Sequence, residues 1–376
     1  MVDKILITTS GIGSRLGDLT DYTNKSLVRI GNKPAISLII ENYPSDCEFI
    51  ITLGHFGEYV REFLTITYPD LNFKFVNVDK YKGVGSSLGY SLLQAREHLQ
   101  CPFIFNACDT LFLKKSTILE YLKSKDNFCV GSKREDSSQY ATLLINNGSV
   151  KEIKRKGEIN FDYAYVGVCG IRNYKDFWNT LENTYRQNPN DASLHEGHII
   201  NKMINSTSTF FFYDAKDWVD IGNTGELERA RKKFSSFAEV LEKKNESIYF
   251  FDDVVVKFFA DSNTCLDRVS RAKELDGFVP KVLSHGNNFY KYKKVKGDLL
   301  ANCVNRSIFW NLLNWSRDKF WVKKDIDNFD KLCYNFYITK TENRIKQFLN
   351  GEKDKETNIN GQNVSSIEDL MKQIDT

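Results

Sequence analysis

The sequence predicts a doubly wound, Rossmann-like α/β domain with a mixed sheet, followed by a smaller α+β unit of strands and then helices. Three observations carry this. Short β-rich apolar runs at 5–8, 49–53, 73–78 and 103–105 alternate with helical patterns around 35–42, 59–65 and 88–98. Strands separated by helices of that length build right-handed βαβ crossovers and a largely parallel sheet. The first run ends in Ser10-Gly11-Ile12-Gly13, a glycine-rich turn leading from strand to helix. After Tyr140 the runs become consecutive, at 141–145, 150–154 and 164–171, with Asn146-Asn147-Gly148 between the first two; that pattern fits antiparallel strands joined by tight turns.

The elements continue as a helix over 174–187, a β-rich stretch at 208–213, the run Trp218-Val219-Asp220-Ile221-Gly222, and a charged amphipathic helix over 224–241. Lys243-Lys244-Asn245-Glu246 breaks the pattern, and alternation restarts at 247–259. The expected domains are therefore 1–240, 246–350 and a polar tail over 351–376 with a weak helical pattern at 366–374. A chain of 376 residues suits two cores better than one.

With 41% hydrophobic residues but no uninterrupted apolar stretch of 18, the chain has core material and no expected membrane span. Met1-Val2-Asp3-Lys4 lacks the basic region and cleavage site of a secretory signal, which reads as cytoplasmic. A net charge of +3 against 27% charged residues leaves no footprint for a polyanion, so nucleic acid is not an expected partner. The eight cysteines form no CxxC pair and read as reduced thiols. His195-Glu196-Gly197-His198 falls short of HExxH and has no evident third ligand, so it reads as a polar helix start rather than a zinc site.

Chemistry concentrates in the turn after the first strand. A glycine-rich turn points backbone N–H groups at an anion, which makes Ser10, Gly11, Gly13 and Ser14 candidates for holding a phosphate chain. Arg15 follows at once, Lys25 about ten residues later, and Gly31-Asn32-Lys33-Pro34 after that. Asp109 ends the apolar strand Phe103-Ile104-Phe105, where open α/β sheets bind ligands. Phosphoryl and nucleotidyl transfer need mainly positioning and charge neutralisation, so cations and a metal-binding acid are the residue types to look for.

These motifs resemble the signature of the sugar-phosphate nucleotidyltransferase family, G-x-G-[ST]-R-[LM] followed by P-K-x-L and G-K-P, with Asn24 in place of the proline before the lysine. The resemblance implies a Rossmann-like fold and in-line attack by a substrate phosphate on the α-phosphorus of an NTP, with CTP or UTP favoured and pyrophosphate leaving. It implies Arg15 on the leaving phosphates, Lys25 on the α- or incoming phosphate, and Lys156 on the substrate phosphate. Asp109 and Asp220 would hold Mg²⁺, and Gly85 and Ser86 would lie near the base. The expected partners are an NTP and a phosphorylated small molecule, a sugar phosphate or a phosphocholine-like compound, in the making of cell-surface glycan precursors. Self-association stays open.

Arg155 stands where the family has glutamate, and the asparagine of its N-x-G strand is missing before Tyr165-Val166-Gly167, so a hexose is not implied. Together, the replaced positions Asn24, Cys108 and Arg155 keep open a nucleotide-sensing or scaffolding module. Downstream, Lys257 in an apolar strand and Glu274 in a helix resemble the lysine–glutamate pair of the aminoglycoside phosphotransferase and choline kinase family. No H-x-D-x-x-x-x-N loop occurs in 247–376, so kinase activity is not expected; a further alternative is that the chain is the activating half of a kinase–transferase whose kinase part is incomplete.

Overall fold

The computed structural model describes residues 4–234, 243–351 and 358–373. Nine strands form one mixed sheet: β1 Lys4–Thr8, β2 Glu48–Leu53, β3 Asn72–Asn77, β4 Phe103–Ala107, β5 Phe128–Ser132, β6 Thr142–Asn146, β7 Ser149–Lys154, β8 Tyr163–Ile171 and β9 Phe211–Asp214, in the order β3-β2-β1-β4-β8-β5-β9-β7-β6. The first four are parallel, with Thr8 in register with Thr52 on one side and Ala107 on the other. β8 then runs antiparallel to β4. Strand order reverses between β1 and β4, and the carboxyl ends flanking such a switch point are where open sheets hold ligands.

β1 lies at the centre. Ile5, Leu6 and Ile7 have no exposed surface, as a strand covered on both faces requires. Ile5 and Ile7 join a core under the helices Ala35–Ile40 and Gly57–Thr67, and Leu6 joins a second core under Leu88–Ala95, Tyr174–Gln187 and Glu196–Asn205. The β6–β7 turn carries Asn147 and Gly148 at φ 48° and 75°, the left-handed pair that a two-residue hairpin turn demands.

Two expectations need correction. The segment after the glycine-rich turn is no regular α-helix: Ser14–Thr20 is 3₁₀ and is broken at Gly17, φ 55°. Nor does the compact unit end at 240–246; it continues to Gly297. The cause is packing that local pattern does not reveal. The four-stranded sheet β10 Glu246–Phe250, β11 Val254–Phe259, β12 Val282–His285 and β13 Phe289–Lys293 seats Tyr249 and Phe289 against Phe63, at ring separations of 5.4 and 5.7 Å. Glu62 accepts the backbone N–H groups of Asn288 and Phe289, each at 2.8 Å. The predicted helix over 224–241 is seen as Thr224–Lys233, and 235–242 lie outside the described residues.

Residues from Asp298 onward form a second unit. It is helical, with Arg306–Trp315 passing into a π turn at Ser316–Phe320, Phe329–Tyr334 passing through another at Asn335–Thr339 into Lys340–Gly351, and a last helix at Ile367–Lys372. Among the described residues no helix is long and apolar enough to cross a membrane.

Candidate active site

At the carboxyl end of β1 the chain turns through Ser10 and Gly11. Ser10 Oγ lies 3.0 Å from Ser91 Oγ. The turn is crowded from two sides: a Cβ on Gly13, φ 75°, would sit 2.9 Å from Lys25 Cβ, and one on Gly54 would meet the Ser10 carbonyl at 2.5 Å. Glycine at 54 lets the loops after β1 and β2 touch, and glycine at 13 lets Lys25 pack onto the turn.

Asn24, in the place of a proline, is wholly buried and bonded through both ends of its amide. Its Nδ2 donates to the carbonyls of Thr9 and His55, and its Oδ1 accepts from the N–H and hydroxyl of Ser26. These bonds fix the backbone on which Lys25 stands. The Lys25 ammonium reaches Asp109 Oδ2 at 2.9 Å, and Arg15 Nη2 lies 3.8 Å from the same oxygen. Burial alone would lower the Lys25 pKa, but Asp109 more than offsets it and holds the lysine charged. Asp109 in turn is held below the usual carboxylate range: burial pushes it up, and Lys25 and Arg15 pull it down further.

A two-stranded ribbon brings the second acid in. Thr110–Phe112 pairs antiparallel with Trp218–Asp220, placing Asp220 opposite Thr110, and the Ile221 N–H closes onto the Asp109 carbonyl at 3.1 Å. Asp220 is buried; its Oδ1 accepts the Gly222 N–H at 2.8 Å and its Oδ2 the Tyr140 hydroxyl at 2.9 Å. Burial first, and the Asp109 charge next, raise its pKa. Between the two carboxylates is a space that a Cβ would fill: one on Gly222 would lie 3.1 Å from Asp220 Oδ1, 3.4 Å from Asp109 Oδ2 and 3.5 Å from Arg15 Nη2.

Two cavities meet here. One, of about 350 Å³, runs along Ser10, Gly11, Lys25, Tyr81 and Ser86; the other, of about 640 Å³, runs along Tyr140, Lys156, Tyr165, His195, Glu196 and Asp220. Arg15, Leu88, Ala107 and Asp109 wall both. The Lys156 ammonium is held below the usual lysine value by partial burial and then by the Arg15 charge. Three mutually repelling cations around two acids suit an anion larger than either carboxylate.

Of the predicted residues, Arg15, Lys25, Asp109, Lys156 and Asp220 thus converge. Gly85, φ 82°, and Ser86, bonded to the Gly83 carbonyl at 2.8 Å, shape the turn before Ser87, which caps the helix Leu88–Ala95. Lys257 and Glu274 do not pair. Lys257 lies over the Tyr292 ring at 5.7 Å, and burial first, then the Arg268 charge, hold its ammonium below the usual lysine value; in this sheet the strand face carrying the lysine meets an aromatic ring, and no ion pair joins it to the helix among the described residues. His195 caps Glu196–Asn205 by accepting the Gly197 N–H. Among the described residues no three His, Cys, Asp or Glu side chains group to hold a metal.

Sequence reasoning passed over Gly222, Tyr140 and Glu196. Gly222 closes the quoted run 218–222 and Tyr140 marks the start of the consecutive strands, but only the structure shows what they touch. Glu196 was read as part of a polar helix start, yet it is 4% exposed, and burial pushes its carboxyl up to about 7 from 4.5. A carboxyl whose folded pKa is raised binds its proton more tightly when folded, so it weakens the fold as pH rises from about 4.5 to 7. Glu196→Gln is therefore expected to gain stability over the wild type across that window, by about 3 kcal/mol at its upper end, read from urea midpoints at each pH.

Comparison with known proteins adds the following. No family profile matches the chain. Over 241 residues, 61% of this chain, it is 24% identical to the bifunctional protein GlmU of Methanococcus vannielii, and it spans about half, 54%, of that relative's length. A UDP-glucose pyrophosphorylase solved with UDP-glucose superposes with a TM-score of 0.52 at 16% identity, over 62% of this chain and 98% of its own. The CTP:phosphocholine cytidylyltransferase of Streptococcus pneumoniae gives 0.51 at 18%, over 62% of this chain and all of its own. Over about 62% of this chain the fold is the mixed α/β fold of these two solved structures. An inositol-1-phosphate CTP transferase from T. maritima, with a TM-score of 0.50 at 16% identity over 63% of this chain, has this nucleotidyltransferase fold too. The kinase-like resemblance has no counterpart among these relatives.

Proposed function

We propose that the chain is a Mg²⁺-dependent nucleotidyltransferase joining an NTP to a phosphorylated small molecule. One observation carries this reading: the two cavities share a wall at which Arg15, Lys25, Asp109, Lys156 and Asp220 gather. The smaller cavity takes the nucleotide, with its phosphates along the glycine turn, and the larger takes the phosphorylated acceptor. An acceptor phosphate oxygen forms a bond to the α-phosphorus, the α–β bridging bond breaks, and pyrophosphate leaves with the electron pair. Arg15 neutralises the leaving phosphates, Lys25 the α-phosphate, and Lys156 the acceptor phosphate. Lys25 stays protonated throughout, so it acts by charge rather than as a base.

Asp109 and Asp220 suit Mg²⁺, a hard cation that takes one or two carboxylates together with phosphate oxygens and water. The gap beside Gly222 and the raised pKa of Asp220 support that fit. When bound, the ion supplies further neutralisation of the phosphates. Tyr140 orients Asp220 through its hydroxyl. The fold is shared with enzymes named for UDP-glucose and for phosphocholine, and a nucleotide-activated precursor of surface glycans is the product class this reading favours.

The test is pyrophosphate release with CTP, UTP, dTTP, GTP and ATP, each against a panel of phosphosugars and phosphoalcohols with Mg²⁺. Turnover with CTP or UTP is expected. Nucleotide binding without turnover across the whole panel would instead make the chain a sensor.

A further inference from the structure

A chain of contacts runs from Arg134 to Asp220. Trp218 and Asp220 lie two apart in the strand Trp218–Asp220, so their side chains leave the same face of the ribbon. The Tyr140 ring meets the buried Trp218 ring edge to face, at 5.3 Å and 74°, and the Tyr140 hydroxyl donates to Asp220 Oδ2. The guanidinium of Arg134, in the loop after β5, lies over Trp218 at 4.6 Å and over Tyr140 at 5.9 Å. Its Nε is buried and has no hydrogen-bond partner among the described residues. A cation seated on two rings is held by them and holds them in turn. Arg134 itself walls neither cavity, so it acts on the site only through these neighbours.

We infer that Arg134 is a positioning residue for Asp220, acting through the rings of Tyr140 and Trp218 to keep the carboxylate turned toward the space beside Gly222. Reading that space as the place of a divalent cation rests on the nucleotidyl-transfer proposal. Asp220 Oδ1 accepts the Gly222 N–H and Oδ2 the Tyr140 hydroxyl, which leaves each oxygen a lone pair for a cation. The carboxylate plane keeps this setting only while the phenol stays in place. Arginine suits the task because its flat guanidinium stacks on rings, which the compact lysine ammonium does less well.

Isothermal titration of the full chain with Mn²⁺ alone tests this, with pyrophosphate release read separately. Arg134→Ala should weaken Mn²⁺ binding about tenfold, as loss of a group that orients a metal ligand does, and lower kcat by about as much while KM for the NTP stays within about twofold. Arg134→Lys, which keeps the charge and part of the ring contact, should recover part of both losses. Tyr140→Phe should weaken Mn²⁺ binding to a similar degree. Adding Arg134→Ala to Tyr140→Phe should then cost under about twofold more, because the path runs through the hydroxyl. A merely structural arginine would give losses that add in full and no recovery by lysine. Where Arg134→Ala alone lowers the melting temperature, the Arg134→Lys and Tyr140→Phe pair carries the same comparison. The inference is overturned if wild type takes up no Mn²⁺, if Arg134→Ala binds it within about twofold of wild type, or if the two losses add. Arg134-dependent Mn²⁺ uptake without pyrophosphate release from any NTP and acceptor pair sinks the transfer reading and leaves the inference standing. Release from wild type, with Mn²⁺ affinity and kcat both indifferent to Arg134, sinks the inference alone.

Discussion

Asp109→Ala is expected to lower pyrophosphate release by on the order of a thousandfold at saturating substrates, because the carboxylate sits where three cations, the second acid and both cavities meet. The loss should appear in kcat, and it should not be recovered by excess Mg²⁺ if both carboxylates hold the ion. Removing Asp109 also leaves the largely buried Lys25 ammonium without its partner, so some loss of stability is expected as well. Asp109→Asn separates the two effects, since it keeps an oxygen for Lys25 to donate to while removing the charge. Circular dichroism melts near the wild-type Tm, together with turnover as low as in the alanine variant, would assign the loss to chemistry. Turnover within tenfold of wild type in either variant would remove Asp109 from the centre of the reaction.

Gly222→Ala should be nearly as damaging while leaving the fold intact. Its backbone is not in the left-handed region, so alanine brings no conformational strain. The added methyl enters the space between the acids, 3.1 Å from one carboxylate oxygen and 3.4 Å from the other. A displacement of under an ångström at a phosphoryl-transfer centre costs about a hundredfold. The expected result is a higher Mg²⁺ requirement and a fall in kcat of about that size, with an unchanged melting temperature. Calorimetric titration with Mn²⁺ as a probe of the acids gives a second readout, and unchanged ion affinity would show that the space is not where a cation sits.

Much of the sheet was legible because its strands are covered on both faces. Ile5 to Ile7 and Phe49 to Ile51 are continuous apolar runs, and Gly54 after the second stands where its backbone meets that of Ser10. The cations and acids were named from their motif order; Asp109 follows β4 directly, whereas Arg15 and Lys25 stand in 3₁₀ turns beyond β1 and Asp220 in a separate two-stranded ribbon. Other parts were not, for physical reasons. The strands from Glu246 on alternate as an independent unit would, but their partner, Phe63, lies in a helix far earlier in the chain, and no local pattern announces that. Lys257 in an apolar strand suggested an ion pair, whereas the sheet turns it onto Tyr292. Glu196 reads as an ordinary first-turn acid; only the packing of Tyr165 and the surrounding core reveals that it has left water.

The Lys25–Asp109 pair also bears on the order in which the chain can fold. The two residues are 84 positions apart, and burying either charge without the other is costly. The clasp made by Asn24 joins the loops after β1 and β2 and does not involve β4. The lysine it supports cannot give up its water until β4 has docked and brought Asp109 with it. The ammonium of Lys25 is therefore buried at acceptable cost only where β1 and β4 stand side by side, which ties the charge at the centre of the candidate site to the pairing of those two strands.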